Sequence, residues 1–133
     1  MEDVTQLLEA VVSRASTDKT LAALARNGLF HGSADDNAQP PFMTYEMVGA
    51  AGQENTGSDR PLTVELQFTA HCKTDTQALA AAKALRKAYH NKPLSAVDGV
   101  EFVELTSRVI DQDPDDLTWL AIVAFTIHCS EED

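Results

Sequence analysis

The chain has 133 residues, 44% of them hydrophobic and 23% charged, which suits one globular domain with a buried core and leaves no room for a second. Acidic residues outnumber basic ones 21 to 10, for a formal charge of −11; such a surface repels phosphate and excludes a nucleic-acid binder, though not a conduit through which DNA slides. No apolar run is long enough to span a bilayer, and Met1-Glu2-Asp3-Val4 lacks the basic start of a signal peptide, so a soluble protein made inside the cell is expected, with Cys72 and Cys129 kept as core thiols.

Val4, Leu7, Leu8, Val11 and Val12 recur at helical spacing and predict an amphipathic helix to about Arg14. Ser16 or Thr17 is positioned to cap a short second helix carrying Leu21, Leu24 and Ala25, which Asn27-Gly28 stops. Residues 31 to 41, HGSADDNAQPP, read as a loop whose proline pair forces an extended entry into a strand, Phe42 to Val48. Ala50 to Arg60 has two glycines and no large apolar residue, so it is expected to join two strands as a long mobile loop.

Leu62, Val64, Leu66, Phe68, Ala70 and Cys72 alternate with Thr63, Glu65, Gln67, Thr69 and His71, which predicts a strand with one buried and one wet face. Thr74 or Asp75 caps the next helix, with Leu79, Ala82, Leu85 and Tyr89 on its apolar face and Asn91-Lys92-Pro93 at its end. Val100 to Ile110 and Leu117 to Cys129 are two further strands joined by the turn Asp111-Gln112-Asp113-Pro114-Asp115-Asp116. The fold class is therefore α+β, ordered ααββαββ, with a mostly antiparallel four-stranded sheet and helices packed on one face. Strands of about twelve residues, roughly 40 Å, outreach a helix of about 24 Å, so the hairpins are expected to project.

Tests for chemistry are negative. His71-Cys72 and His128-Cys129 are zinc-like residue types, but neighbours in a strand point to opposite faces, and one crossing helix puts the two pairs at opposite ends of the sheet. No nucleophile motif, phosphate-binding glycine loop or HExxH run occurs, and the acidic turn lacks the glycine and terminal glutamate of a calcium loop. Neither catalytic residues nor a cofactor nor a metal site is expected. Lys83, Arg86 and Lys87 give one helix a basic face, which reads as solvated or as a contact for an acidic neighbour. The last strand is apolar on both sides: Trp119, Ala121, Val123, Phe125 and Ile127 on one, Leu120 and Ile122 on the other. The second side is open to cover by a neighbouring subunit or by a helix of the same chain.

Several segments follow a shared order: Leu21-Ala22-Ala23-Leu24, Leu29-Phe30, Gln39-Pro40-Pro41-Phe42-Met43-Thr44-Tyr45, the Ala-Leu-Arg helix from Gln77 to Tyr89, the acidic turn, and Phe125-Thr126-Ile127-His128. From Leu7 to His128 this order resembles a family of small phage and prophage tail proteins that includes tail-completion and tail-terminator subunits. The chain departs from the family pattern at Pro114 and at Leu120-Ala121, where an aromatic and an arginine are usual.

The resemblance implies a virion protein, made in the host cytoplasm, that forms a ring, usually of six copies, at the head-proximal end of the tail tube. Its partners are then itself, the tail tube protein and the head-tail connector protein, with genomic DNA only passing through the lumen and no membrane involved. Phe30, Gln53, Glu54, Asn55, Asp59, Arg60, Asp113, Asp115, Asp116 and Trp119 are the expected assembly contacts. Another neck role, or a non-viral interaction module, is the alternative.

Overall fold

A computed structural model describes residues 4–52, 59–92, 94 and 100–132. Helix α1 (Val4–Thr17) buries Leu7, Val11 and Ala15 at helical spacing and runs one turn past Arg14. The cap of α2 (Lys19–Leu24) is neither Ser16 nor Thr17 but Asp18, whose carboxylate accepts the amides of Thr20 and Leu21, both at 3.0 Å. Asp18 is the first residue clear of α1, and so the first free to take the extended conformation a cap requires; Thr17 instead returns its hydroxyl to Ser13.

Among the described residues the sheet has five strands rather than four, in the spatial order β1-β2-β3-β5-β4. The additional strand, β1 (Leu29–His31), is three residues long and parallel to β2 (Phe42–Gly52). Gly28, at φ +139°, sets its entry: a side chain there would run into the Phe30 ring. β2, β3 (Asp59–Cys72) and β5 (Trp119–Glu132) run antiparallel, and β4 (Val100–Gln112) closes the far edge against β5.

Part of the expected mobile loop is therefore ladder. Gly52 pairs with Leu62, Asp59 lies opposite Glu132, and 53–58 fall outside the described residues. β3 and β5 stay in register from Asp59↔Glu132 to Cys72↔Trp119. Fourteen residues at extended rise reach about 48 Å, against about 22 Å for the fifteen-residue α3 (Asp75–Tyr89).

Alternate residues of β3 and β5 form the core floor: Val64, Leu66, Phe68, Ala70 and Cys72 beside Ala121, Val123, Phe125, Ile127 and Cys129, all buried. α3, capped by Thr74 on the Gln77 amide, packs on it through Ala78, Ala81, Ala82, Ala84, Leu85, Ala88 and Tyr89. Leu79, expected on that face, is 58% exposed. The alanines let α3 sit so close to the sheet that the contact line is a stripe of small residues, with the leucine left at its margin. Tyr89 anchors the layers together: its ring packs against Phe68 and Phe125, and its hydroxyl donates to the Val11 carbonyl of α1 at 2.6 Å. From α1, Arg14 donates to the Ala88 carbonyl and lies over the Tyr89 ring.

Candidate assembly surface

All described helices lie on one side of the sheet; the other carries no described helix and is open except at its first row, where Phe42 is buried beside Gln39 and Pro40. The register shows which residues line it, because directly paired residues share a face. Phe42, His71, Leu120 and Asp111 form one row across the strands, followed by Thr44, Thr69, Ile122 and Val109, then Glu46, Gln67, Ala124 and Ser107, then Gly49, Glu65, Thr126 and Glu104. In these four rows Asp111, Glu46, Glu65 and Glu104 supply carboxylates, and no position is a lysine or arginine. Glu104 accepts or shares a hydrogen bond with His128 Nε2 at 2.8 Å.

Cations collect on the helix side instead. Lys83, Arg86 and Lys87 are exposed on α3, and Arg108 pairs with Val123, which places it on the helix-facing side of β4. A bulge between Leu105 and Ser107 brings it there, with Thr106 tied by its hydroxyl to the Ala124 carbonyl. None of these four cations forms an ion pair within the described chain.

The two edges of the sheet also differ. On the β4 edge, Leu105 N–H donates to His90 Nδ1 and Asn91 N–H to the Val103 carbonyl, so the helix end covers one stretch of the strand. Beside it Arg86, His90, Leu105, Thr106, Ser107 and Arg108 line a groove of about 530 Å³. On the opposite edge α1 and the β1–β2 pair enclose a groove of about 500 Å³ lined by Leu8, Glu9, Val12, Ser13, His31 and Tyr45, with His31 and Tyr45 stacked at 4.9 Å.

The acidic turn is a built structure. Asp113 N–H donates to the Thr118 carbonyl, Leu117 N–H to the Asp113 carbonyl, and the Asp113 carboxylate takes the Asp115 amide at 2.8 Å. Asp116 accepts both the amide and the hydroxyl of Thr118, which hold its carboxyl below the usual range. Leu117 takes the left-handed conformation at φ 62°. Gln112 pairs with Trp119, so Pro114 sits inside the turn without shifting the hairpin register.

The expected assembly residues are dispersed among these features. Phe30 lies half-buried on the edge strand β1, edge-on to Phe42 at 6.0 Å. Gln53, Glu54 and Asn55 lie outside the described residues; Asp59 and Arg60 are backbone partners of Glu132 and Glu131. Asp113, Asp115 and Asp116 share the turn at the other end of the sheet. Trp119 faces the helix side, directly across from Cys72 and packed against the core. Glu46, Glu65, Glu104 and Arg108 were not singled out from sequence as site residues; alternation with core residues was the available signal for the three glutamates, whereas the face Arg108 takes depends on the bulge.

The two His-Cys pairs lie far apart. Cys129 pairs with Leu62, ten residues or about 34 Å along β3 from Cys72, and His71 and Cys72 point to opposite faces. Burial pushes the Cys72 thiol up to about 11. Burial lowers the His71 imidazole, which stacks on Phe42 at 4.2 Å, against the opposing charges of Asp116 and Asp113. Among the described residues no group of three His, Cys, Asp or Glu gathers to hold a metal ion.

A helix-backed, mostly antiparallel sheet with an acidic face, two unlike edges and a preformed turn is the class of fold these residues build. The chain belongs to the family described as Tail completion protein gp17, whose model matches residues 9–129, and so to the structural proteins of the phage tail. Its fold is also that of a chain from the virion of a native gene transfer agent (GTA) particle, at a TM-score of 0.78 and 13% identity over 92% of this chain and 93% of that one. No individually curated protein matches the sequence.

Proposed function

We propose that this chain is a one-domain structural subunit, without catalytic activity, that closes into a ring of six copies at the head-proximal end of a long phage tail. There it ends the tail tube and receives the head connector. The observation that carries this reading is the family match across residues 9–129. The architecture supports it in two ways. The β2–β3 hairpin and the Asp113–Asp116 turn stand at opposite ends of the sheet, so a ring built from such subunits offers one face to the tube and the other to the connector. The open sheet face, with Glu46, Glu65, Glu104 and Asp111, is the acidic wall along which DNA slides without adhering.

The first test is native mass spectrometry of the purified protein over a concentration range, with negative-stain imaging alongside tail tube protein. A closed ring seated on tube ends is the expected result. A strict monomer that leaves tubes uncapped counts against the reading, and a ring that binds connector without affecting tube growth moves the protein to another neck position. Deleting Gln53 to Ser58 is expected to impair joining while leaving the far-ultraviolet circular dichroism unchanged.

A further inference from the structure

The geometry points to the β4-edge groove as the seat for the opposite edge of a second copy of this chain, a head-to-tail contact that rests on the ring reading and gives it an interface. The groove carries Arg86 and Arg108, one from α3 and one from the bulged edge strand, in a chain with twice as many acids as bases. A free surface with two unpaired guanidinium groups at the rim of a groove selects a carboxylate-bearing partner, because each arginine offers a planar fork of donors.

The other edge supplies that partner. There Glu9 is exposed on α1 in the lining of the α1–β1 groove, and Asp35 and Asp36 are exposed on the connection leaving β1. Edge charge is therefore unlike to unlike when two copies meet β4 to β1, and like to like when two β1 edges meet. Strand direction agrees. β1 runs with β2, β3 against it, β5 with it and β4 against it, so β4 of one copy and β1 of the next are antiparallel when the sheets run on edge to edge. A contact between two different surfaces is heterologous, and its repetition closes into a ring when the rotation per copy divides a full turn. In that ring the open faces of successive sheets form one continuous wall, with the helices outside.

The acidic turn Asp111 to Asp116 is the competing occupant. It belongs to the same edge as the groove, so its use implies a two-fold dimer that stops at two copies.

The test is charge reversal and restoration in the full chain. R86E/R108E is expected to lower ring formation at least about tenfold in native mass spectrometry at low salt, with thermal melting and circular dichroism unchanged. Combining it with E9K/D35K/D36K is expected to restore rings, whereas either set alone fails. Rings unaffected by R86E/R108E overturn this interface while leaving the ring reading intact. Rings that persist but no longer cap tubes assign the groove to the tube protein, and a dimer rescued only by reversing Asp113 and Asp115 assigns it to the turn; both overturn the inference. A wild type that forms no ring even on tubes overturns the ring reading itself.

Discussion

The two faces of the sheet are made from alternate residues of the same strands, yet they obey different constraints. On the helix side every position from Val64 to Cys72 and from Ala121 to Cys129 is closed by a neighbour, so volume and shape decide which residue fits. On the open side Thr44, Gln67, Thr69, Ile122 and Thr126 are only half-covered, by each other, and charge of one sign is retained. Stability therefore resides on one face, and the other is free to be shaped by what passes or docks there.

Substitutions that trade the two faces against each other test this. The largest effect is expected from Phe68→Ala, which opens a void between Tyr89 and Phe125 and costs about 3–5 kcal/mol in denaturant unfolding. A loss below about 1 kcal/mol would show that the aromatic cluster is not the centre of the core. Asp18→Ala, removing the cap of α2, is expected to cost about 1 kcal/mol in the same measurement. Ile122→Ala, on the open face, should cost less than about 1 kcal/mol, well under a fully buried isoleucine. Leu79→Ala should stay within about 0.5 kcal/mol, and a larger loss would return Leu79 to the core.

Titration offers a further contrast. The Cys72 thiol is raised in the fold, from 9.0 to about 11, so its neutral form is favoured there and the unfolded chain releases the proton first. Its contribution is complete below pH 9 and is lost as pH rises toward 11. Cys72→Ala should flatten that alkaline decline in thermal melts. His71 shifts the other way: its lowered value makes the unfolded chain bind the proton first, so its contribution holds above about pH 6.5 and falls on acidification. His71→Gln should remove part of the acid-side loss.

Where a pattern repeats, the sequence was readable. The strict alternation from Leu62 to Cys72 identified β3 and its wet face, and the antiparallel order that follows from one crossing helix separated the two His-Cys pairs. β1 escaped because three residues carry no period, and its pairing depends on Gly28 and on a β2 strand distant in the chain. Leu79 misled because apolar size was weighted over closeness, whereas α3 is held to the sheet by alanines. The docking surfaces were harder still. Arg86 was visible as part of a basic helix face, but its neighbour Arg108 became one only through the bulge at Leu105–Ser107, and the charge difference between edges exists only once strand order is known.

The placement of Trp119 has an optical consequence. It is the chain's one tryptophan, half-buried at the last row of the sheet, across from the Cys72 thiol and three residues after the end of the acidic turn. Tryptophan emission, excited selectively over Tyr45 and Tyr89, therefore reports from a single pole of the molecule without any label. Docking at the turn should shift the emission colour, docking at the β2–β3 pole should leave it unchanged, and unfolding should expose the ring to water and redden it. One cuvette signal thus distinguishes which end of the subunit a partner has met.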